Sequence, residues 1–466
     1  MKSQYKVLAS NTAIFAIGTI LVKLISFFLM PIYTSALSTS DYGIAEMLNN
    51  SIEIVMPLAT LCIIEALFRF SMDNSGRCDS LYSNSLIIVI IGDIVVAGLC
   101  VLWHALFQYP YTFHFFLLYF TSTIYKLNLQ FARGLGHIKR YVVCGVMNSL
   151  LLVASNVLLL LKLNGGIQAY LYSFSIGYGI VAVVAFFISK EYKYFKIESF
   201  DTTVLKSMLK YSLPSIPNLL SWWVNSLSDR YIIMWICSPA IAGLYTAASK
   251  LPAMVNMVTA VFQQAWQYST AKEVNTEGSS SFFSNVFRVY VYFCCIVCST
   301  LLVFNKVLCH ILLQADFFAA WKYVPLLLLA ATFGCVGTYY GTFYNAVKNN
   351  KMLMVSTIIG AVFNIICNII LIPILGGIGA AIATVISYFI IMLIRIVDVR
   401  KFIELRVNYR TVSVQFVLLI ISAIVSCMEY RVTSMISLMC MVLIILTEYK
   451  TLIICSKRMM QKLKKE

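Results

Sequence analysis

The sequence predicts an all-α polytopic membrane protein of 14 transmembrane helices, built as two six-helix lobes in parallel repeat plus two C-terminal helices. Three observations carry that expectation. Hydrophobic residues make up 61% of the 466-residue chain and charged residues only 12%, where a soluble domain carries about 25% charged residues. Apolar stretches long enough to cross a bilayer recur from one end of the chain to the other. Two short motifs recur in the same order in each half.

A spanning helix takes about 20 mostly apolar residues. On that rule the first set of spans is 10–36, 43–69, 81–104, 111–132, 141–162 and 167–189. A polar, lysine-bearing segment, "KEYKYFKIESFDTTVLKSMLK", follows. The second set is 211–236, 243–271, 282–305, 321–347, 353–373 and 377–398, and spans 411–428 and 432–455 close the series. The expected organisation is an N-terminal lobe 1–190, a cytoplasmic linker 191–210, a C-terminal lobe 211–400, two additional helices within 411–455 and a basic tail 456–466. Only Lys2 and Lys6 precede the first apolar stretch. It runs for about 27 residues with no small-residue cleavage site after a short core, so a retained helix is expected rather than a signal peptide.

The formal net charge of +16 is distributed as a topology signal. Arg133, Lys139, Arg140, Lys190, Lys193, Arg400, Lys401 and the tail "KRMMQKLKKE" fall on one set of loops, and only Lys162, Lys306, Lys322 and Arg431 on the other. Positive-inside bias then puts both termini in the cytoplasm, and basic residues scattered through short loops do not form a nucleic-acid surface. The remaining cations, Lys23, Lys126, Arg230, Lys250, Arg288 and Arg395, lie within spans. Lys126 and Arg395 are close enough to a helix end to snorkel toward water.

The internal repeat rests on "LSTSDYGIAEM" (37–47) and "CSPAIAGLYTA" (237–247), each with Ser five residues before Gly at the opening of a helix. A second match pairs "LNGGIQAY" (163–170) with "LGGIGAA" (375–381). Six spans per repeat give both halves the same orientation, and transporters with parallel repeats hold substrate between them near the midplane.

An ionisable residue at the centre of a span costs about 2.5 to 3.5 kcal/mol on the lenient insertion scale, which makes it a functional candidate. Lys23 and Glu53 are expected at similar depth on the first hairpin, and Arg230 and Lys250 about 10 Å below the outer surface on the seventh and eighth spans. These cations define an expected electropositive cavity. Glu46, Glu53, Asp93 and Asp229 compensate or couple an ion. Gln263, Gln264 and Gln267 with Trp222, Trp223 and Trp266 line walls suited to sugar hydroxyls and ring faces. The structural alternative is that Lys23 with Glu53, and Asp229 with Arg230 or Lys250, are ion pairs that only pin helices. Neighbours in a helix diverge by about 100°, so Asp229 and Arg230 are poor partners for each other. Arg288, about two turns from the inner end of its span, is a substrate-binding candidate whose alternative is snorkelling or lipid headgroup contact. Pro31, Pro57, Pro252 and Pro325 are expected to kink spans.

Fourteen cysteines sit mostly in apolar segments, and the lone C-x-x-C at Cys295–Cys298 has no second pair nearby. These are expected as core hydrophobes, with no metal site. The four histidines, His104, His114, His137 and His310, do not share a helix face, and no Walker or G-x-S-x-G motif occurs. With no long extramembrane loop for catalytic residues, an enzyme is not expected.

"DRYIIMWICSPAIAGLYTAASKL" (229–251) and "YTSALSTSDYGIAEML" (33–48), with the six, six and two organisation, resemble the Wzx-type flippases, the polysaccharide-transport branch of the MOP superfamily. The resemblance implies two lobes around a central cationic cavity and no bound cofactor, with H+ or Na+ coupling open. The implied substrate is an undecaprenyl-pyrophosphate-linked oligosaccharide for O-antigen, capsule or another surface polysaccharide, moved to the outer leaflet of the bacterial inner membrane. Membrane lipids and the polymerase and chain-length machinery are the implied partners. Lys23, Arg230 and Lys250 would contact pyrophosphate or acidic sugars. A cation-coupled MATE-like exporter of small amphiphiles and a non-transport scaffold of glycan assembly are the alternatives.

Overall fold

The computed structural model describes residues 18, 20–73, 77–273, 279–347, 351–403, 405–428 and 432–449. The first residues of the expected first span, Arg431, the end of the last span and the basic tail lie outside these, as do the side chains of Trp222 and Gln264. Among the described residues every regular element is helical. The chain forms two compact units, Met1–Leu227 and Ser228–Glu466.

The first unit contains α1 (Ile20–Ala36), α2 (Thr39–Ala59), α3 (Ile63–Asp73), α4 (Cys78–Phe107), α5 (Thr112–Gly134), α6 (Ile138–Lys162), α7 (Gly166–Ile188), α8 (Thr202–Ser212) and the start of α9 (Ser215–Ile236). Ser38 opens α2 by accepting the Asp41 N–H at 3.0 Å, an N-cap that satisfies one orphan donor of the first turn. The expected span 43–69 is broken: α2 and α3 meet at 68°. Pro57 withholds one helical N–H, and Leu61 and Cys62 take positive φ of 51° and 54°, so the ladder ends at Thr60. α5, α6 and α7 close around Leu129, Cys144, Val181 and Ala185.

The expected linker 191–210 is folded onto this unit. Ser83 and Asn84 at the start of α4 bind its backbone, the Ser83 hydroxyl donating to the Tyr194 carbonyl at 3.2 Å and the Asn84 amide to the Asp201 carbonyl at 3.0 Å. Asp201 caps α8, and its carboxyl is held below its ordinary range by the N–H groups of Thr203 and Val204. The charged pair Lys196–Asp79 adds an exposed contact, worth little alone.

The second unit holds the rest of α9, then α10 (Pro239–Ala248), α11 (Lys250–Glu273), α12 (Ser279–Val303), α13 (Asn305–Leu312), α14 (Val324–Ala346), α15 (Lys351–Leu375), α16 (Gly377–Val399), α17 (Tyr409–Ser426) and α18 (Thr433–Thr447). Ser238 caps α10 through the Ile241 N–H at 3.3 Å, so the two motifs 200 residues apart in the sequence open their helices in the same way. The expected span 243–271 is divided at Ser249, and Pro252 sits in the first turn of α11, where its missing N–H costs nothing. Pro31 and Pro325 likewise begin helical segments. α14 is the buried centre of the unit, packed by α11, α16 and α17. α15 and α16 approach so closely that a Cβ on Gly379 would stand 2.3 Å from the Leu371 carbonyl oxygen.

Among the described residues eight helices are long and apolar enough to span a membrane, nine if α2 and α3 count as one. The shortfall from fourteen has physical causes. α5 and α9 carry Lys126, Asn128 and Gln130, or Asn225, Asp229 and Arg230, which lower their hydropathy while serving the interior. The α10–α11 segment is broken at Ser249, and α1 and α18 fall among the shorter apolar helices.

Candidate functional site

Asp229 is the best-built polar centre of the second unit. It is buried on α9. Its Oδ1 accepts from the Asn368 amide at 2.6 Å, and its Oδ2 from the Thr384 hydroxyl at 2.6 Å and the Tyr245 hydroxyl at 2.9 Å. Asn368 also donates to Asn364 Oδ1 at 3.0 Å, which Ser228 reaches at 3.4 Å. One carboxylate thus gathers α9, α10, α15 and α16, and its bonds in the structure come from neutral donors. As the sequence suggested, Asp229 and Arg230 have different partners. Arg230 Nη2 donates to Ser249 Oγ at 2.9 Å, tying the guanidinium to the α10–α11 junction immediately before Lys250. Arg230 Nε is buried without a hydrogen bond, and no described carboxylate lies within ion-pair distance of this side chain.

Glu46 plays the matching part in the first unit. It is buried, and its Oε1 accepts from the Tyr42 hydroxyl at 3.0 Å and the Tyr170 hydroxyl at 3.1 Å, while the Asn50 amide approaches Oε2 at 3.5 Å. Tyr33 packs on both tyrosines, with ring centroids at 6.1 Å and 5.0 Å. Asp93 accepts from Thr123 at 3.1 Å and joins α4 to α5. It is a packing bond between adjacent helices.

A cavity of about 260 Å³ opens in the first unit beside the α2–α3 break. Glu53, Glu65, Lys126, Gln130 and Trp223 contribute to its lining. Lys126 shares that lining with two carboxylates. Lys23 is exposed on α1 and makes no ion pair with Glu53, which removes the expected structural pairing of those two.

Other expected wall residues are elsewhere. Trp266 is buried in an aromatic stack, 4.5 Å from the Tyr339 ring and 5.9 Å from Phe262, with its indole N–H directed to the Tyr339 carbonyl at 3.4 Å. Gln263 is buried and donates to the Tyr290 hydroxyl at 3.3 Å. Both serve the α11–α12–α14 core, because an indole and an amide in an apolar interior are taken up by the nearest partners. Gln267 is exposed. Arg288 pairs with Glu448 through Nε at 2.6 Å and Nη2 at 2.5 Å, away from the Asp229 network. Arg395 does not snorkel. It is buried and donates to Ser356 Oγ and the Gly337 carbonyl, both at 3.0 Å, and to Thr357 Oγ1 at 2.9 Å, stapling α14, α15 and α16.

Sequence reasoning missed Glu65, Lys126 as a lining residue, and the Tyr245, Asn364, Asn368 and Thr384 set. The Asn364-x-x-x-Asn368 spacing, which puts two amides on one helix face, was the available signal.

Residues 8–268 match a family model described as polysaccharide biosynthesis protein, more than half of the chain. The chain belongs to that family. The chain is 23% identical over 261 residues to the "probable low-salt glycan biosynthesis flippase Agl15" of Haloferax volcanii, a match covering 54% of each chain. A second relative, an uncharacterized membrane protein of Methanocaldococcus jannaschii, is 27% identical over 246 residues, 49% of this chain and 48% of that one. The matches thus span about half the length of these curated relatives. Among solved structures, the fold is similar to the lipid II flippase MurJ in an inward closed conformation, with a TM-score of 0.73 and 14% identity over 95% of this chain and 100% of that one. An inward-facing multidrug resistance MATE transporter of the MOP superfamily matches with a TM-score of 0.64 and 14% identity, over 82% of this chain and 95% of that one.

Proposed function

We propose that the chain is a flippase that moves undecaprenyl-pyrophosphate-linked oligosaccharide from the cytoplasmic to the outer leaflet of the inner membrane, by alternating access of two repeated lobes. The product would serve O-antigen, capsule or another surface polysaccharide. The observation that carries the reading is Arg230. An arginine in an apolar helix, held by a serine and by no described carboxylate, is a cation whose neutralising partner must come from elsewhere. A pyrophosphate or acidic sugar supplies that charge and makes the strong kind of hydrogen bond. Lys250 adjoins the same junction, and Lys23 supplies an exposed cation in the other half.

Asp229 and Glu46 are the proposed coupling or counter-charge groups. Asp229 with the hydroxyl of Thr384 and the amide oxygens of Asn364 and Asn368 offers oxygen donors with a single negative charge, suited to a proton or one monovalent cation. The cationic-amphiphile exporter reading draws on a different feature, the two carboxylates against one lysine in the first-unit cavity.

The test is a strain lacking the gene, complemented with this chain at matched protein levels. The flippase reading expects lipid-linked oligosaccharide to accumulate on the cytoplasmic face without the chain, Arg230→Glu to fail and Arg230→Lys to retain partial export. Full surface glycan with Arg230→Glu, together with new sensitivity to cationic amphiphiles on deletion, would favour the exporter.

A further inference from the structure

The second unit holds another polar cavity, of about 350 Å³, that the transport reading does not use. It lies where the first turns of α12, the segment before α17 and the end of α18 meet. This is the cytoplasmic end if the loop charges set the orientation. Among the described residues its charged lining is Arg288, Arg406 and Glu448.

The geometry divides these three into a fixed pair and an available cation. Glu448 is nearly buried and grips one edge of Arg288 with both carboxylate oxygens, yet the Arg288 side chain remains 53% exposed. That bidentate contact fixes the plane of the guanidinium. Arg406 is exposed, and the structure gives its guanidinium no hydrogen bond to any described residue. Its backbone is nonetheless anchored, since its N–H donates to Ser284 Oγ at 2.8 Å. Gln415 and Thr447 are joined at 2.8 Å across the cavity and brace α17 against α18. Among the described residues, an orientated arginine and an anchored, available one thus share a braced cavity with one carboxylate, for a net charge of +1.

We propose that this cavity binds the phosphodiester headgroup of an anionic membrane lipid. The single net positive charge matches a phosphodiester monoanion better than a dianionic phosphate, and two guanidinium planes suit a tetrahedral oxyanion. A lipid is favoured over free phosphate because the cavity lies at the ends of the spanning helices α12 and α17, at the level of the headgroups, and these helices expose Phe282, Val289 and Val414 close in sequence to its lining residues. The site is independent of the transported substrate and of whether the chain is a flippase.

The experiment uses the full chain purified in zwitterionic micelles, with native mass spectrometry counting retained lipid after exposure to phosphatidylglycerol or phosphatidylcholine, with and without inorganic phosphate. Wild type should retain phosphatidylglycerol selectively. Arg406→Gln should weaken that retention about fivefold to tenfold, as expected for the loss of one basic contact at a membrane surface. Arg406→Lys should recover part of it, and Lys351→Gln, which removes another exposed cation, should behave as wild type. Because Arg406 is exposed, its variants should unfold at the wild-type temperature. Equal retention by Arg406→Gln and wild type would overturn the site. Displacement of phosphatidylglycerol by modest inorganic phosphate would overturn the lipid assignment in favour of free phosphate.

Discussion

Replacing Asp229 separates its two proposed tasks, because Asn and Ala disturb the network differently. Asp229→Ala removes the acceptor of three buried donors, the Asn368 amide, the Thr384 hydroxyl and the Tyr245 hydroxyl. A stranded buried donor costs about 1 to 3 kcal/mol. Thr384 can still donate to the Ala380 carbonyl at 2.9 Å and Tyr245 to the Thr384 hydroxyl at 3.2 Å, so one N–H of Asn368 remains at risk and the expected loss is roughly 1 to 3 kcal/mol, with the cavity left by the side chain in addition. Asp229→Asn keeps the shape. Its amide nitrogen can face Asn368 once that side chain turns its oxygen inward, leaving the new oxygen for Thr384 and Tyr245. The remaining penalty is the weaker neutral bonds, about 1 kcal/mol in all, partly offset by no longer burying a charge. The assay is the unfolding midpoint of each variant in one detergent, followed by transport under an imposed sodium or proton gradient. Asp229→Asn should keep most of the stability and lose the dependence on the coupling ion, while Asp229→Ala loses both. An Asn variant as unstable as the Ala variant would refute the neutral-donor description of the network, and full ion dependence in a stable Asn variant would refute the coupling role.

Three further predictions follow from buried features. Burial pushes the Glu191 carboxyl, in the segment after α7, from its ordinary 4.5 up to about 8, so the folded chain binds more protons than the unfolded one between those values. Stability should therefore fall as pH rises from about 5 to 8, by on the order of 5 kcal/mol at most, and Glu191→Gln should flatten that slope; an unchanged slope in unfolding midpoints against pH would contradict it. For Arg395, whose bonds run to hydroxyls and a helix carbonyl and to no acid, Met should fill the space at a cost within about 1 kcal/mol, while Ala opens a hole among three helices and costs about 3 kcal/mol. A Met variant as unstable as the Ala variant in denaturation would mean that the charge itself holds the helices. Gly379→Ala should lower the unfolding midpoint by the equivalent of about 2 kcal/mol, because the new Cβ meets the Leu371 backbone at 2.3 Å and neither helix can yield without repacking.

The helical class was legible because it rests on local signals. Long apolar runs mark spans, and Ser38 and Ser238 cap their helices wherever the chain goes next. Breaks were harder to place, since Pro57 marks a weak point but the positive φ of Leu61 and Cys62 has no glycine to announce it. Partners were harder still. Trp266 looked like a sugar platform because a tryptophan in a span presents the same sequence whether it faces a cavity or Tyr339. Arg395 read as a snorkelling end residue because nothing local shows that Ser356, Thr357 and Gly337 converge on it from two other helices. Arg288 and Glu448 are 160 residues apart, beyond any spacing argument.

The two expected repeats each build a buried carboxylate node and differ in its chemistry. In each, the helix after the Ser-capped turn supplies a tyrosine hydroxyl to a buried carboxylate, Tyr42 to Glu46 and Tyr245 to Asp229, and the sixth helix of the repeat supplies another hydroxyl, Tyr170 or Thr384. The carboxylate itself has moved from the second helix of the repeat to the first, so the conserved feature is the meeting point of helices and not the acid's position in sequence. Around Glu46 the close partners are the Tyr42 and Tyr170 hydroxyls, with the Asn50 amide at 3.5 Å. Around Asp229 the Thr384 and Tyr245 hydroxyls and the Asn368 amide all lie within 2.9 Å, with the Asn364 amide oxygen beside them, a denser set of side-chain oxygens for a cation. If an ion drives the transport cycle, its seat therefore belongs in the second repeat, and Glu46→Gln should leave ion dependence intact where Asp229→Asn abolishes it. The reverse pattern in the gradient assay would place the coupling group in the first repeat and leave Asp229 as a structural node.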